Sequence, residues 1–241
     1  MTFRNAALGV GDGDDRSFPE QVPISLQKEH SDSREKNIYS RFLPICIEDV
    51  LMSKLHTAVI TSESRSNIRI CGFGSGGRLG GGALQYTQYS FTTPKDLPSD
   101  YPFIAIALGQ DHTLALNSAG AIYSWGLPRF SQLGYTLEGG GTIQATPRRI
   151  VGPLKREFVR GIAACRTASA CWTDLELLTW GTNSGQLGYD RVSTPTQVLP
   201  RRVTQIVQPV VDVALSDSAM AVLVRSKDVH CFCEGRSFKI K

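Results

Sequence analysis

Four places in this chain bring together side chains that could do chemistry. Gly72-Phe-Gly74-Ser-Gly76-Gly77 spells a Gly-x-Gly-x-x-Gly turn behind a strand-like run. Bare backbone of that kind can approach a pyrophosphate where a helix begins. Asp111-His112-Thr113 sets a carboxylate beside an imidazole, the makings of a general base working near neutral pH. His230-Cys231-Phe-Cys233 gathers soft ligands suited to zinc. Asp12-Gly-Asp14-Asp15 opens like a calcium-binding loop.

Each also has a plainer reading. The glycine turn runs on into Arg78-Leu-Gly-Gly-Gly82, with no helical pattern to receive a phosphate, and Pro94 and Pro98 flank the one acid near the ribose position, Asp96. Its glycines fall in register with Gly126 and Gly134 further on, as structural turn residues would. His56 occupies the slot of His112 one unit earlier, so both are expected to tie a strand to a neighbouring loop by hydrogen bonds. The Cys231 pair lacks a second ligand pair, since Cys165 and Cys171 are separated by five residues on strand positions. These thiols are expected to pack as small apolar groups. The calcium-like loop has no Glu at its twelfth position and reads as a solvated turn. The chain is therefore not expected to be an enzyme, and no catalytic residue, cofactor or metal ion is expected.

Composition narrows the classes further. Over 241 residues, 26 Lys and Arg stand against 22 acids, and the basic clusters Arg148-Arg149 and Arg201-Arg202 are only pairs. That balance does not argue for nucleic acid. No apolar run approaches the ~18 residues of a membrane helix, and no apolar region follows Met1, so neither membrane insertion nor a signal peptide is expected. Six irregularly spaced cysteines fit reduced thiols of a cytoplasmic or nuclear protein.

What positions these residues is a repeat. Leu8-Gly9, Leu79-Gly80, Leu133-Gly134 and Leu187-Gly188 recur, the last three 54 residues apart. Upstream of those three lie runs ending in Cys71-Gly72, Trp125-Gly126 and Trp180-Gly181. A second signature, a small-residue strand, aligns His56, His112, Ala168 and Ala219 at spacings of 56, 56 and 51. Asn117-Ser-Ala-Gly120 is a hairpin connection. Strands are expected near 46–60, 67–73, 103–116, 120–126, 159–172, 175–181 and 210–232, with helix confined to short turns.

A unit of roughly 50 residues with about four strands cannot bury both faces of its sheet alone, and stacking on the next unit solves that, as in a propeller blade. The fold expected is all-β, a partial β-propeller of about four repeats of roughly 50–55 residues. The units are read as a partial first repeat over 1–26, a polar insertion over 27–43 and the end of the first repeat over 44–66. Full repeats follow over 67–119, 120–174 and 175–226, then the degenerate start of another over 227–241.

Tyr123-Ser-Trp125-Gly126 with Gln132-Leu133-Gly134, and Trp180-Gly181-Thr-Asn183-Ser-Gly-Gln186-Leu187-Gly188, resemble the repeat of the regulator of chromosome condensation (RCC1) family. The resemblance covers roughly residues 5–26 and 44–233. Ile70-Cys71-Gly72-Phe-Gly74-Ser-Gly76-Gly77-Arg78-Leu79-Gly80 is similar to the repeat region of the inhibitor of Bruton tyrosine kinase group and its fungal relatives, and so is Asn5-Ala-Ala-Leu8-Gly9-Val-Gly11. Members of that group join ankyrin repeats, this propeller-like region and BTB domains, and serve as substrate receptors of cullin-type ubiquitin ligases. The resemblance implies a non-catalytic platform that meets protein partners through propeller loops and a cullin ligase through domains outside this chain. The alternative it implies is guanine-nucleotide exchange on a Ran-like GTPase with chromatin binding. Departures are Cys231-Phe-Cys233-Glu-Gly235 in place of a Trp-Gly, Ala168-Ser169 in place of His-Thr, and no ankyrin or BTB signature. A seven-bladed ring at ~50 residues per blade needs over ~350, so the chain is read as a fragment of a longer protein.

Overall fold

The computed structural model describes residues 9–12, 14, 21–22, 24, 45–82 and 86–240. Leu8 and the 27–43 insertion lie outside the described residues. Among the described residues, sixteen strands form four antiparallel meanders of four strands each. The first sheet holds β1 (Ile47–Met52), β2 (His56–Thr61), β3 (Ile68–Phe73) and β4 (Thr87–Thr92). The second holds β5 (Phe103–Leu108), β6 (His112–Asn117), β7 (Ile122–Gly126) and β8 (Gln144–Arg149). The third holds β9 (Gly161–Ala164), β10 (Ala168–Trp172), β11 (Leu177–Thr182) and β12 (Thr196–Arg202). The fourth holds β13 (Val210–Leu215), β14 (Ala219–Val224), β15 (Val229–Cys233) and β16 (Arg236–Ile240). Helix among the described residues is limited to two short 3-10 turns, Glu138–Gly140 and Gly152–Leu154. The all-β partial propeller expected from the sequence is the fold that forms.

Each sheet combines strands from two successive sequence units. The 67–119 unit supplies β3 and β4 to the first sheet and β5 and β6 to the second. The first strands β1, β5, β9 and β13 touch in succession and form the inner edge of the arc. The fourth strands form the outer edge, and β4, β8, β12 and β16 are the strands that sequence patterning left out. Their outward position explains this. They alternate weakly, and Pro147 and Pro200 sit inside β8 and β12, where only an edge strand tolerates a missing donor.

Among the described residues the core is divided among three seams. One apolar cluster fills the seam between the first and second sheets, built on Ile60, Ile70, Phe103, Ala115 and Trp125. Another joins Leu114, Ile122, Ile150, Cys171 and Trp180 across the next seam. A third joins Trp172, Leu177, Ile206, Met220, Val222 and Phe232. The second strands β6 and β10 lie between two seams and are buried throughout, as is β2, whereas β14, with one seam, is buried on alternate residues.

A bulge recurs where β3, β7 and β11 pair with their outer neighbours, at Ile70/Gly72, Ser124/Gly126 and Thr179/Gly181. The residue it skips is Cys71, Trp125 or Trp180. The glycine that follows has φ of +124°, +121° or +115°, a conformation natural only to glycine. A methyl group on Gly181 would stand 2.5 Å from the Thr167 carbonyl oxygen and 2.6 Å from Ala168 Cα. Gly181→Ala is expected to cost about 3 kcal/mol from strain and collision together, read as a lowered urea midpoint with the slope unchanged.

Candidate functional site

The histidines come to lie at the seams. His56 and His112 open β2 and β6 and are fully buried. His112 Nε2 lies 2.9 Å from Ser169 Oγ on β10. That hydroxyl donates its one proton to the Gln132 carbonyl at 2.8 Å, so it accepts from the imidazole, and His112 carries its proton on Nε2. Trp180 Nε1 donates to the same carbonyl at 2.8 Å. One oxygen of the second sheet's loop thus receives two donors from the third sheet.

The preceding seam repeats this. His56 Nε2 lies 3.0 Å from Thr113 Oγ1, and both that hydroxyl and Trp125 Nε1 donate to the Arg78 carbonyl at 2.9 Å. The Leu-Gly turn that follows each carbonyl closes on the indole. A methyl on Gly80 would stand 3.0 Å from Trp125 Nε1, and one on Gly134 would stand 3.2 Å from Trp180 Nε1. Leu79, Leu133 and Leu187, one residue earlier, are buried. Gly9 meets Cys71 and Phe91 in the corresponding way, with Leu8 outside the described residues.

Burial pushes both imidazoles down to about pKa 3, and at His56 the charges of Arg78 and then His112 add to the effect. His56 Nδ1 is met by Ser53 Oγ at 2.8 Å. Gly109 takes the corresponding place in the second sheet, and His112 Nδ1 has no partner among the described residues. Asp111, the apparent partner of a catalytic histidine, turns to Arg78, whose Nη2 donates to its carboxylate at 2.6 Å. The pair bridges the seam between the first and second sheets, and both side chains are buried.

The third seam is built differently. Strand register places Ala168 in the histidine slot, Met220 in the hydroxyl slot and Phe232 in the tryptophan slot. Polar contact moves outward, to Arg166 and Thr167 on the Asp217 carboxylate. Gly188, past Leu187, packs against Val203 rather than an indole. The glycine of Trp-Gly is replaced by Cys233, the bulge is absent, and a tight turn at Glu234-Gly235 leads directly into β16.

The remaining sequence candidates disperse. The Gly72–Gly77 turn is filled by the second sheet: a methyl on Gly77 would lie 2.7 Å from Ile143 Cγ2. Cys231 and Cys233 lie on β15, and burial raises the Cys165 thiol to about 11 and Cys171 higher still. The Asp12 carboxylate accepts from the Asp14 N–H, a local turn. Sequence reasoning overlooked the seam's other members: Arg78 and Gln132, directly before each Leu-Gly, and Thr113 and Ser169. The visible signal was a hydroxyl residue after each histidine slot, in His56-Thr57, His112-Thr113 and Ala168-Ser169.

Residues 103–132 match the model of the regulator of chromosome condensation (RCC1) repeat. The chain carries repeats of the RCC1 type. A BTB/POZ domain-containing protein of Schizosaccharomyces pombe is 34% identical over 98% of this chain. The inhibitor of Bruton tyrosine kinase of Mus musculus is 28% identical over 95% of it. The chain spans only 17% and 16% of those two relatives. The crystal structure of human WBSCR16 superposes with a TM-score of 0.69 at 21% identity, covering 81% of this chain and 52% of that one. Such a likeness shows the fold.

Two outcomes test the seam. Trp180→Phe leaves the Gln132 carbonyl with one donor and space beside Gly134, and is expected to lower stability by about 2–4 kcal/mol in urea unfolding. Acid is expected to act on the histidines. Unfolded, an imidazole takes its proton near pH 6.5, whereas these do so only near 3 when folded. Stability is therefore full above pH ~6.5 and is lost as pH falls toward ~3, at up to about 1.4 kcal/mol per pH unit for each histidine. Urea midpoints between pH 7 and 5 are expected to fall for the native chain and less for His56→Gln/His112→Gln.

Proposed function

We propose that this chain is a non-catalytic protein-interaction platform, the propeller region of a BTB-type substrate adaptor of a ubiquitin ligase. The observation that carries the reading is the 34% identity to a BTB/POZ domain-containing protein, which extends over 98% of the chain. The fate of the chemistry-bearing side chains agrees with it. His56, His112, Asp111 and Arg78 are spent on seams, and none of them is open to solvent.

The surface offers what a platform needs. In four-strand meanders, turns after the second strand and connections after the fourth emerge at the same end. Those segments expose Tyr101, Val151, Phe158, Leu175 and Val207. They are held firmly: Asn67 bonds both the N–H and the carbonyl of Phe103, and the Val159 N–H donates to the Gly120 carbonyl. Apolar side chains on well-anchored loops are the ordinary material of protein recognition. No helix among the described residues is long and apolar enough to cross a membrane.

The reading frame, extended on the genome in both directions, is expected to encode ankyrin and BTB segments. The full-length tagged protein is then expected to co-purify with a cullin, and ubiquitylation of its bound partner to cease when residues 45–240 are deleted. An extended frame without a BTB segment would overturn the adaptor reading.

A further inference from the structure

The outer edges of the second and third sheets share a pattern that the seams do not use. β8 ends in Thr146-Pro147-Arg148-Arg149 and β12 in Leu199-Pro200-Arg201-Arg202. Strand pairing sends the two arginines of each strand to opposite faces. Arg148 pairs with Ser124 and turns toward the second seam, and Arg202 pairs with Leu178 and turns toward it from the other side. Arg201 turns toward the third seam and Arg149 toward the first. In both strands the first arginine lies over a tyrosine. The guanidinium carbon of Arg148 is 4.5 Å from the Tyr135 ring centre, and that of Arg201 is 4.6 Å from the Tyr189 ring centre. Each ring is itself anchored: the Tyr135 hydroxyl donates to the Ser124 carbonyl at 3.0 Å, and the Tyr189 hydroxyl lies 2.9 Å from that of Thr179.

Neither guanidinium is spent on the described residues. The one carboxylate near Arg148, that of Glu138, is 3.5 Å away on a side chain 91% exposed, and Arg201 reaches the Thr194 hydroxyl at 3.4 Å. Charge gathers around them. Lys155 and Arg156 are exposed on the connection whose 3-10 turn, Gly152–Leu154, packs against β12, and Arg149 and Arg202 are exposed as well. Against these six cations stand Glu138, Glu157 and Glu176, the last paired with Arg202 at 3.0 Å. The excess of three accounts for most of the chain's formal net charge of +4. Pro147 and Pro200 lack the N–H that a further strand would need, so side chains are what this rim offers.

We propose that this rim is a docking surface for an acidic segment of a protein partner, its Asp or Glu carboxylates received by the tyrosine-supported guanidinium forks of Arg148 and Arg201. A guanidinium presents paired donors that match the two oxygens of a carboxylate, and an aromatic face beneath it holds the fork without using a donor. A fork held in this way has less freedom to lose on binding. The partner is a protein and not a nucleic acid, because Glu138, Glu157 and Glu176 interrupt the cations, whereas a phosphate backbone carries a charge at every step. The proposal rests on the interaction-platform reading and supplies the partner chemistry that reading leaves open.

The test uses the isotopically labelled full chain and three probes: a capped peptide of Glu-Gly-Ser repeats, the same peptide with Gln in place of Glu, and a single-stranded DNA of matched length. The Glu peptide is expected to shift the Nε–H signals of Arg148 and Arg201 and the amides of 146–149 and 199–202, while the Gln peptide leaves them unmoved. Arg148→Lys/Arg201→Lys keeps the charge but removes the forks, and is expected to weaken binding of the Glu peptide about fivefold to tenfold. Arg129→Lys, an exposed change away from the rim, is expected to leave that affinity unaltered. Equal affinity of the native and double-lysine chains would overturn the proposal, since charge alone would then carry the binding. So would an absence of shifts at these arginines, or DNA that binds more tightly than the Glu peptide. Failure here leaves the extended reading frame and cullin co-purification untouched, so the two readings fail separately.

Discussion

A single carbonyl oxygen with two donors is the contact on which the arc depends. Arg78 and Gln132 each offer one, and each is met by a hydroxyl and an indole from the following sheet. The acceptor is backbone, so its position is set by the loop and not by side-chain identity. The two donors come from neighbouring strands of one sheet, so satisfying both fixes the angle between adjacent sheets as well as their distance. The histidine behind the hydroxyl orients it and removes the remaining freedom. Buried polar networks of this kind specify one arrangement because any other leaves groups unpaired.

Much else follows from holding the indole at that oxygen. The ring must leave the regular ladder, hence the bulge. The residue after it must pass beneath the preceding turn, hence glycine at 126 and 181, and the first sheet keeps the same bulge and glycine, at 72, with Cys71 in the ring's place. The loop must then bring its own carbonyl to the next seam and close against that sheet's indole, hence Leu-Gly. Where the tryptophan gives way to Phe232, the bulge, the glycine and the long loop disappear together. Their joint loss in the fourth sheet shows that they form one device.

This explains what could be read in advance. The second and third strands of the first three sheets were legible because they are buried on both faces, and apolar runs such as Leu114-Ala115-Leu116 reveal that directly. The 54-residue period was legible because Trp-Gly and Leu-Gly are fixed by packing. The outer strands were not, since solvent accepts Thr-Gln-Tyr-Ser as readily in a loop as at an edge. Least legible was the seam's acceptor. A carbonyl belongs to every residue, so Arg78 and Gln132 share a role without sharing a side chain. The His-Asp pair was legible as a constellation but not as an assignment, because Asp111 answers a residue 33 positions away.

The apolar third seam also divides the molecule by its response to the environment. Stacked units gain stability from their own folding and from each junction, so a different kind of junction marks a different cooperative unit. The first two junctions add buried directional bonds to their apolar clusters. The last rests on Trp172, Ile206, Met220, Val222 and their neighbours, whose association weakens on cooling and strengthens with excluded cosolutes such as sulfate or sucrose. With no buried directional bond at its junction, the fourth sheet is consequently expected to be the first segment to detach in the cold.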